Sequence, residues 1–173
     1  MHDDEEILDL VNEKDEVIGQ MKRSQVYDER LHNFRVVNAF IKNDRGQLWI
    51  PRRSKNKRSA PLCLDMSVGG HVTTGETYDT SFIREAQEEV RIDLTVIPFK
   101  FLSKFTPDKD GMYAFQQVYE ISSNDEPDYN TDDFVEAFWM TPEEIMERLA
   151  QGDKAKSDLP KLVQKIYLSP MAG

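Results

Sequence analysis

Apolar positions recur along this chain with two different periods, and the change from one to the other marks its elements. Residues Ile7–Val11 and 17–20 read as two short strands joined by the polar turn Asn12-Glu13-Lys14-Asp15. Residues 22–29 suit a short helix. The Val-, Phe- and Ile-rich run Arg35–Lys42, the turn Asn43-Asp44-Arg45-Gly46 and residues 47–53 predict a hairpin, and 65–68 a further strand leading into Gly69-Gly70. Then the period lengthens. Tyr78, Phe82, Ala86 and Val90 repeat every fourth position, the stripe of a helix that docks on a core. The apolar-aromatic runs 94–105 and 112–121, parted by Pro107-Asp108-Lys109-Asp110-Gly111, predict a second hairpin. A polar, acidic loop over 122–133 precedes a strand at Phe134–Met140. Thr141-Pro142-Glu143-Glu144 combines a capping threonine, proline at the first helical position and a glutamate three residues after the cap, so a helix through about Leu149 follows. Residues 157–167 suit a last helix. No internal repeat is visible. Hairpins among helices in this order predict an α/β (α+β) fold with a mixed sheet between helices. The expectation is one domain over 1–173, frayed at 1–5 and 169–173.

Composition narrows the function. Apolar residues at 39% and charged residues at 31% are ordinary for a folded globular chain and unlike a disordered one. No apolar run approaches 18 residues, and Met-His-Asp-Asp-Glu-Glu lacks the positive start of a signal peptide, so a cytoplasmic protein without a membrane partner is expected. The single cysteine, Cys63, suits a reducing compartment and reads as a small buried residue. A net charge of -10 argues against binding a nucleic-acid duplex, which rests on phosphate neutralisation. Basic residues are nevertheless bunched: Arg52, Arg53, Lys55, Lys57 and Arg58 fall within seven residues. They form either a solvated charged loop or a polyphosphate cradle. Arg52 and Arg53 are the better phosphate candidates, since they close a strand leading towards Gly69-Gly70 and arginine grips phosphate bidentately.

The chemistry concentrates in residues 70–92, which read Gly-x5-Glu-x7-Arg-Glu-Ala-x-Glu-Glu-x-x-Ile. On a helix, Glu85, Glu88 and Glu89 share one face, where like charges repel. A hard divalent cation offsets that repulsion, because Mg2+ and Mn2+ take carboxylate and carbonyl oxygens. Gly69-Gly70 lets backbone approach such an ion closely. The bland alternative is a solvated acidic helix, but the whole pattern arises by chance only about once in 10^8 starting positions.

Gly70, Glu76, Arg84, Glu85, Ala86, Glu88, Glu89 and Ile92 resemble the signature of Nudix hydrolases, which cleave nucleoside diphosphates linked to another group. The resemblance implies an α/β/α sandwich, hydrolysis of a diphosphate bond in a small-molecule substrate, and Mg2+ as cofactor, with Mn2+ able to substitute. It implies that Glu88 and Glu89 are metal ligands, that Glu85 is a further ligand or a base, and that Arg84 orients the carboxylates. Glu76 would support the loop, and the Gly69-Gly70 backbone would offer a carbonyl ligand. A carboxylate outside the helix often serves as base in that family; Asp132, Asp133 and Glu136 border the strand before Trp139 and are candidates. A homodimer fits family habit. One position departs: Arg91 stands where the family has a glycine that ends the helix, which is expected to alter the turn and leave the chemistry intact.

A second resemblance lies at the N-terminus. Residues 7–13, Val17-Ile18-Gly19 and Leu31-His32 are similar to isopentenyl diphosphate isomerase, an enzyme of the same fold that needs an active cysteine and a histidine-rich metal site. Its cysteine would fall near Val68 or Gly69, and Cys63 lies about five residues too early. His32 and His71 match its histidine positions, but Gln25 stands near where another is expected. The reading is therefore a hydrolase with an isomerase-like extension, with isomerase activity or an inactive nucleotide-binding module as alternatives. His71, following the glycine pair, is the better substrate-binding candidate of the two histidines. Phe34, Phe105, Tyr113 and Phe115 either stack on a base or fill the core.

Overall fold

The computed structural model describes residues 5–169. The expected fraying of 1–5 and 169–173 therefore lies mostly outside the described residues. Strands β1 (Ile7–Val11) and β2 (Val17–Lys22) form a separate antiparallel ribbon, followed by helix α1 (Arg23–Asp28). A mixed sheet then runs β6 (Phe99–Phe105), β7 (Phe115–Ser122), β3 (Arg35–Lys42), β4 (Leu48–Arg53), β8 (Phe134–Met140) in spatial order, with β5 (Val68–His71) also pairing β3. β3 is its axis, antiparallel to β4 and β5 and parallel to β7.

Strand periodicity sorts side chains to two faces. Val37, Ala39 and Ile41 of β3, Trp49 of β4 and Tyr119 and Ile121 of β7 pack with Phe82, Ala86 and Val90 of helix α2 (Tyr78–Val90). Phe40, Leu48, Ile50 and Val118, one residue out of step, pack with Ile145 of α4 (Pro142–Ala150) and with Leu159, Leu162 and Val163 of α5 (Asp158–Val163). This is the α/β/α layering expected. A third cluster, Leu8, Val26, Phe34 and Ala114, fastens the N-terminal ribbon and α1 to the sheet. The predicted caps are present, with Thr141 and Glu144 forming a reciprocal capping box.

Three boundaries differ from expectation. The strand placed at 65–68 lies at Val68–His71, so the glycine pair is inside it. Ser67 explains the shift: its hydroxyl accepts from the Ile41 N–H at 2.9 Å and donates to the Trp49 carbonyl at 2.5 Å. That wedge separates β3 from β4, whose pairing is confined to Lys42 opposite Leu48. The second hairpin begins at Phe99; Leu94 and Ile97 serve the core from a turn. It closes over Thr106, which caps the short helix α3 (Pro107–Asp110), and Gly111, whose φ of 68° a side chain would strain. The last helix passes from α5 into a π-helical turn at Gln164–Leu168.

Arg91 adopts φ 51° and ψ 38°, so α2 ends in the left-handed conformation without glycine. Its N–H and that of Ile92 still close on Gln87 and Ala86, both at 3.2 Å, while its guanidinium reaches the exposed Asp128 carboxylate at 3.1 Å. The expected altered turn is corrected: helical hydrogen bonds hold the strained residue in place. Such strain costs about 1 kcal/mol, whereas an ion pair this exposed contributes little. Arg91→Gly should therefore raise the urea unfolding midpoint by an amount equivalent to up to about 1 kcal/mol. A lower midpoint would show that the Asp128 contact outweighs the strain.

Candidate active site

Glu85, Glu88 and Glu89 reach one wall of a cavity of about 770 Å3 beside the glycine pair. They arrive there because α2 buries its apolar stripe against the sheet and turns the opposite stripe towards β5. Contact is close: a Cβ on Gly70 would overlap the Glu85 carboxylate, and one on Gly69 would stand 2.8 Å from Asn38 Oδ1. A side chain at Gly70 would therefore displace the Glu85 carboxylate.

Arg84 ties this wall together. Its Nε and Nη2 donate to Glu76 at 2.8 and 2.9 Å, its Nη1 to Glu85 at 2.9 Å and Glu88 at 3.3 Å, and its Nη2 also to the His71 carbonyl at 3.3 Å. Glu76 in turn accepts from the Thr73 N–H and hydroxyl and from the Ser81 hydroxyl, at 3.1, 2.6 and 2.8 Å. One carboxylate thus joins the loop, the helix and the arginine. Those donors hold Glu76 down at about 2 despite its desolvation. Burial acts the other way on its neighbours. It pushes Glu85 up to about 7 against the pull of Arg84, and it pushes Glu89 well up, helped by Glu85 and opposed by the Gly69 N–H that donates to Glu89 at 2.8 Å. With Arg84 and Gly69 N–H as their partners, no three acidic, histidine or cysteine side chains among the described residues converge closely enough to cage an ion.

The lining also carries basic groups. Arg53 and Lys57 line the cavity, Arg53 donating to the buried Asp65 at 2.7 Å and Lys57 pairing with Asp133 at 2.5 Å. Lys156 lines it too. Arg52 does not. Its guanidinium is taken up by Asp153 at 2.9 and 3.0 Å, by Glu136 at 2.5 Å and by the Leu62 carbonyl at 3.0 Å. Adjacent strand residues face opposite sides, so only one of the two arginines reaches the cavity.

The NUDIX domain profile matches residues 32–161, three quarters of the chain. The chain belongs to the Nudix family. An uncharacterised Nudix hydrolase from Nostoc sp. is 54% identical over 96% of this chain and 99% of its own length. A Nudix hydrolase from Deinococcus radiodurans is 45% identical over 94% of this chain and 95% of its own. A crystal structure from Deinococcus radiodurans, 46% identical, superposes with a TM-score of 0.89 over 94% of this chain and 99% of that one. The MutT protein of Methanosarcina mazei, at 18% identity and a TM-score of 0.56 over 76% of this chain and 91% of its own, shares the fold. The chain is thus a Nudix hydrolase, a class that cleaves pyrophosphate bonds in small molecules and generally uses divalent metals.

Of the carboxylates outside the Nudix helix, Asp133 alone among the three candidates lines the cavity; Asp132 is exposed and Glu136 is spent on Arg52. His71 lines it, half-buried, its Nε2 hydrogen-bonded to the Tyr27 hydroxyl at 2.7 Å. Burial and the surrounding cations Arg23, Lys156, Arg53 and Arg84 press its pKa well down, so the ring is neutral. Cys63, half-buried rather than fully so, is not among the lining residues, and His32 binds the Tyr113 carbonyl. Phe34, Phe105 and Phe115 are core; Tyr113 is 38% exposed and lines the cavity.

Sequence reading missed Asn38, Asp158, Arg23 and Tyr27. Asn38 had a signal, a lone polar residue inside the apolar run of β3. Arg23 and Tyr27 had a weaker one, sharing a face of α1 at a spacing of four.

Glu76→Gln removes the charge that organises this wall. At pH 7 it should cost about 1–3 kcal/mol in urea unfolding. Because the folded pKa lies near 2 and the ordinary value is 4.5, the native carboxylate's contribution is complete above about pH 4.5 and fades as pH falls towards 2. The gap between wild type and variant should narrow over that window; a gap independent of pH would assign the loss to packing.

Proposed function

We propose that this chain is a Mg2+-dependent hydrolase of a diphosphate bond in a nucleoside diphosphate linked to another group, with Mn2+ able to serve in place of Mg2+. What carries the reading is the cavity itself, whose lining brings together the Arg84-bound glutamates, Arg53 and Lys57.

The lining offers the cation hard oxygen donors, although the three glutamates do not converge on one point in this conformation. Glu6, Glu85, Glu88, Glu89, Asp133 and Asp158 line the cavity against the cations Arg23, Arg53, Lys57 and Lys156, so six carboxylates face four positive groups. Burial favours the neutral forms of Glu85 and Glu89, and a bound cation would restore their charge. The donor set is hard oxygen, suited to Mg2+. Glu85, Glu88 and Glu89 would hold it, with the Gly69 carbonyl as a further ligand; once bound, such an ion polarises the phosphoryl oxygens and acidifies water.

The chain's own groups do the rest. Arg84 holds Glu85 and Glu88 at a fixed spacing. Arg53 and Lys57 receive the non-bridging phosphate oxygens and offset the charge that grows on them. Asp133, held by Lys57, is the carboxylate best placed outside the helix to take a proton from water. An isomerase has no thiol to use here, since Cys63 lies off the cavity.

Glu88→Gln keeps size and removes charge at a side chain that is 57% exposed, so the fold should survive while kcat falls by about 100-fold or more. Appearance of the two phosphate-ester products from nucleoside diphosphate sugars, dinucleoside polyphosphates and nucleotide cofactors, followed chromatographically with and without Mg2+, reads this directly. Turnover that is undiminished in the variant, or absent for every compound in Mg2+ and Mn2+, would overturn the reading. Arg53→Ala should raise KM about 10-fold, whereas Arg52→Ala should leave KM unchanged and lower stability by about 1–3 kcal/mol. A KM effect at Arg52 instead would return that residue to the phosphate.

A further inference from the structure

The cavity has a second chemistry, which neither the glutamates nor the basic groups require. Tyr27 and Tyr113 line it, remain 36% and 38% exposed, and stand nearly parallel, with centroids 6.0 Å apart and an interplanar angle of 21°. Both rest on Phe34, fully buried beneath them at 5.8 and 6.1 Å. Phe34 also stacks on His71 at 5.7 Å, and His71 holds the Tyr27 hydroxyl. The tyrosines are therefore joined to the strand that carries Gly69 and Gly70.

The loop bearing Tyr113 is fixed from three directions. Its N–H donates to both oxygens of the buried Asp158, at 3.3 and 3.2 Å. Its carbonyl accepts from His32 Nδ1 at 2.8 Å, and the imidazole packs edge-on against the ring at 4.8 Å. Lys161 donates to the Gly111 carbonyl at 2.7 Å. Asp158 is itself held by Gln116, which accepts from Asn38 on the cavity floor. Exposed tyrosines on loops are ordinarily left to move. Here a chain of buried polar groups, expensive to leave unsatisfied, keeps one partly exposed ring in place.

We infer that Tyr113, backed by Tyr27, is the specificity-determining surface that receives a planar heteroaromatic ring, the base of the nucleotide whose diphosphate meets the glutamate wall. The inference rests on the hydrolase reading for the position of that diphosphate. The rim favours a ring over an aliphatic chain. The polar side chains of Tyr27, His71, Glu6 and Asp158 line the same cavity, and an alkyl group would desolvate them without offering a partner. A planar base stacks on the faces and leaves its edge for those groups. Arg23 and Tyr27 come from α1, ahead of the matched domain, so this ring site is completed by the N-terminal extension.

Calorimetric binding of adenosine, guanosine, cytidine and uridine 5′-diphosphates, of inorganic pyrophosphate and of dimethylallyl diphosphate, with Ca2+ in place of Mg2+, tests this without turnover. Wild type should bind at least one nucleoside diphosphate about 10-fold or more tighter than pyrophosphate. Tyr113→Ala should lose that advantage and Tyr113→Phe should keep it, with pyrophosphate affinity equal in all three proteins. The inference is overturned if wild type gains nothing from a base, if dimethylallyl diphosphate binds as tightly as the nucleotides, if Tyr113→Ala retains the preference, or if it weakens pyrophosphate equally. A base preference that depends on Tyr113, in a protein that cleaves no compound of the panel, would instead sink the hydrolase reading and leave the ring site standing.

Discussion

One guanidinium holds the site in shape. Glu85 and Glu89 are driven into a poorly solvated seam by the docking of α2, and burial alone would favour their neutral forms. Arg84 answers part of that penalty by bonding Glu85 and Glu88 while anchoring itself on Glu76 and the His71 carbonyl. Removing one member of such a partly buried cluster leaves charges unmatched, which costs far more than the pairs contribute when intact. The helix, the loop before it and strand β5 are thereby one mechanical unit. Gly70 belongs to that unit as much as the ionic groups do, because any side chain there would expel Glu85.

The sheet decides what this unit faces. β3 lies between β5 and β7 and alternates strictly, so a polar residue at Asn38 is forced into a layer that is otherwise Phe40, Leu48 and Val118. It is satisfied there by Gln116, on the same face of the parallel neighbour, and Gln116 by Asp158 at the start of α5. A polar thread through an apolar layer is costly unless complete, and this one is complete because it opens onto the cavity. The same thread fixes the Tyr113 loop, so the layer behind the sheet positions a ring in front of it.

This explains which parts of the molecule were legible in the sequence. Elements with a strong period, such as α2 and the β3 run, were readable because burial on one face dictates the residues at every second or fourth place. β5 was misplaced because its register depends on the Ser67 wedge between β3 and β4, a contact no local pattern encodes. The glutamates and Arg84 were readable as a set because they crowd one helical face, yet their actual partners depend on where β5 passes. Arg52 and Arg53 show the limit most clearly. Alternation alone says that the pair diverges; which one enters the cavity follows from β4 lying beside β8, where Glu136 claims Arg52. Arg91 was legible as a departure, while its outcome turned on helical hydrogen bonds outweighing a local strain.

A net charge of -10 and a polyanionic substrate are at odds only if charge acts at long range. At physiological ionic strength the screening length is about 8 Å, so acidic groups on the far surface of the molecule are scarcely felt inside the cavity. Within it, Arg53 and Lys57 are each held by one carboxylate, Asp65 and Asp133, and keep donors to spare; an arginine has five N–H groups and a lysine three. Those pairings restrain the cations without consuming them, which lowers the entropy lost when phosphate arrives. On the proposed reading the glutamates then discriminate between ligands: a polyanion that brings no cation would find no partner in them, whereas one already paired with a divalent ion would. Discrimination of that kind is local, and it depends on Arg84 keeping Glu85 and Glu88 in place before any ligand enters.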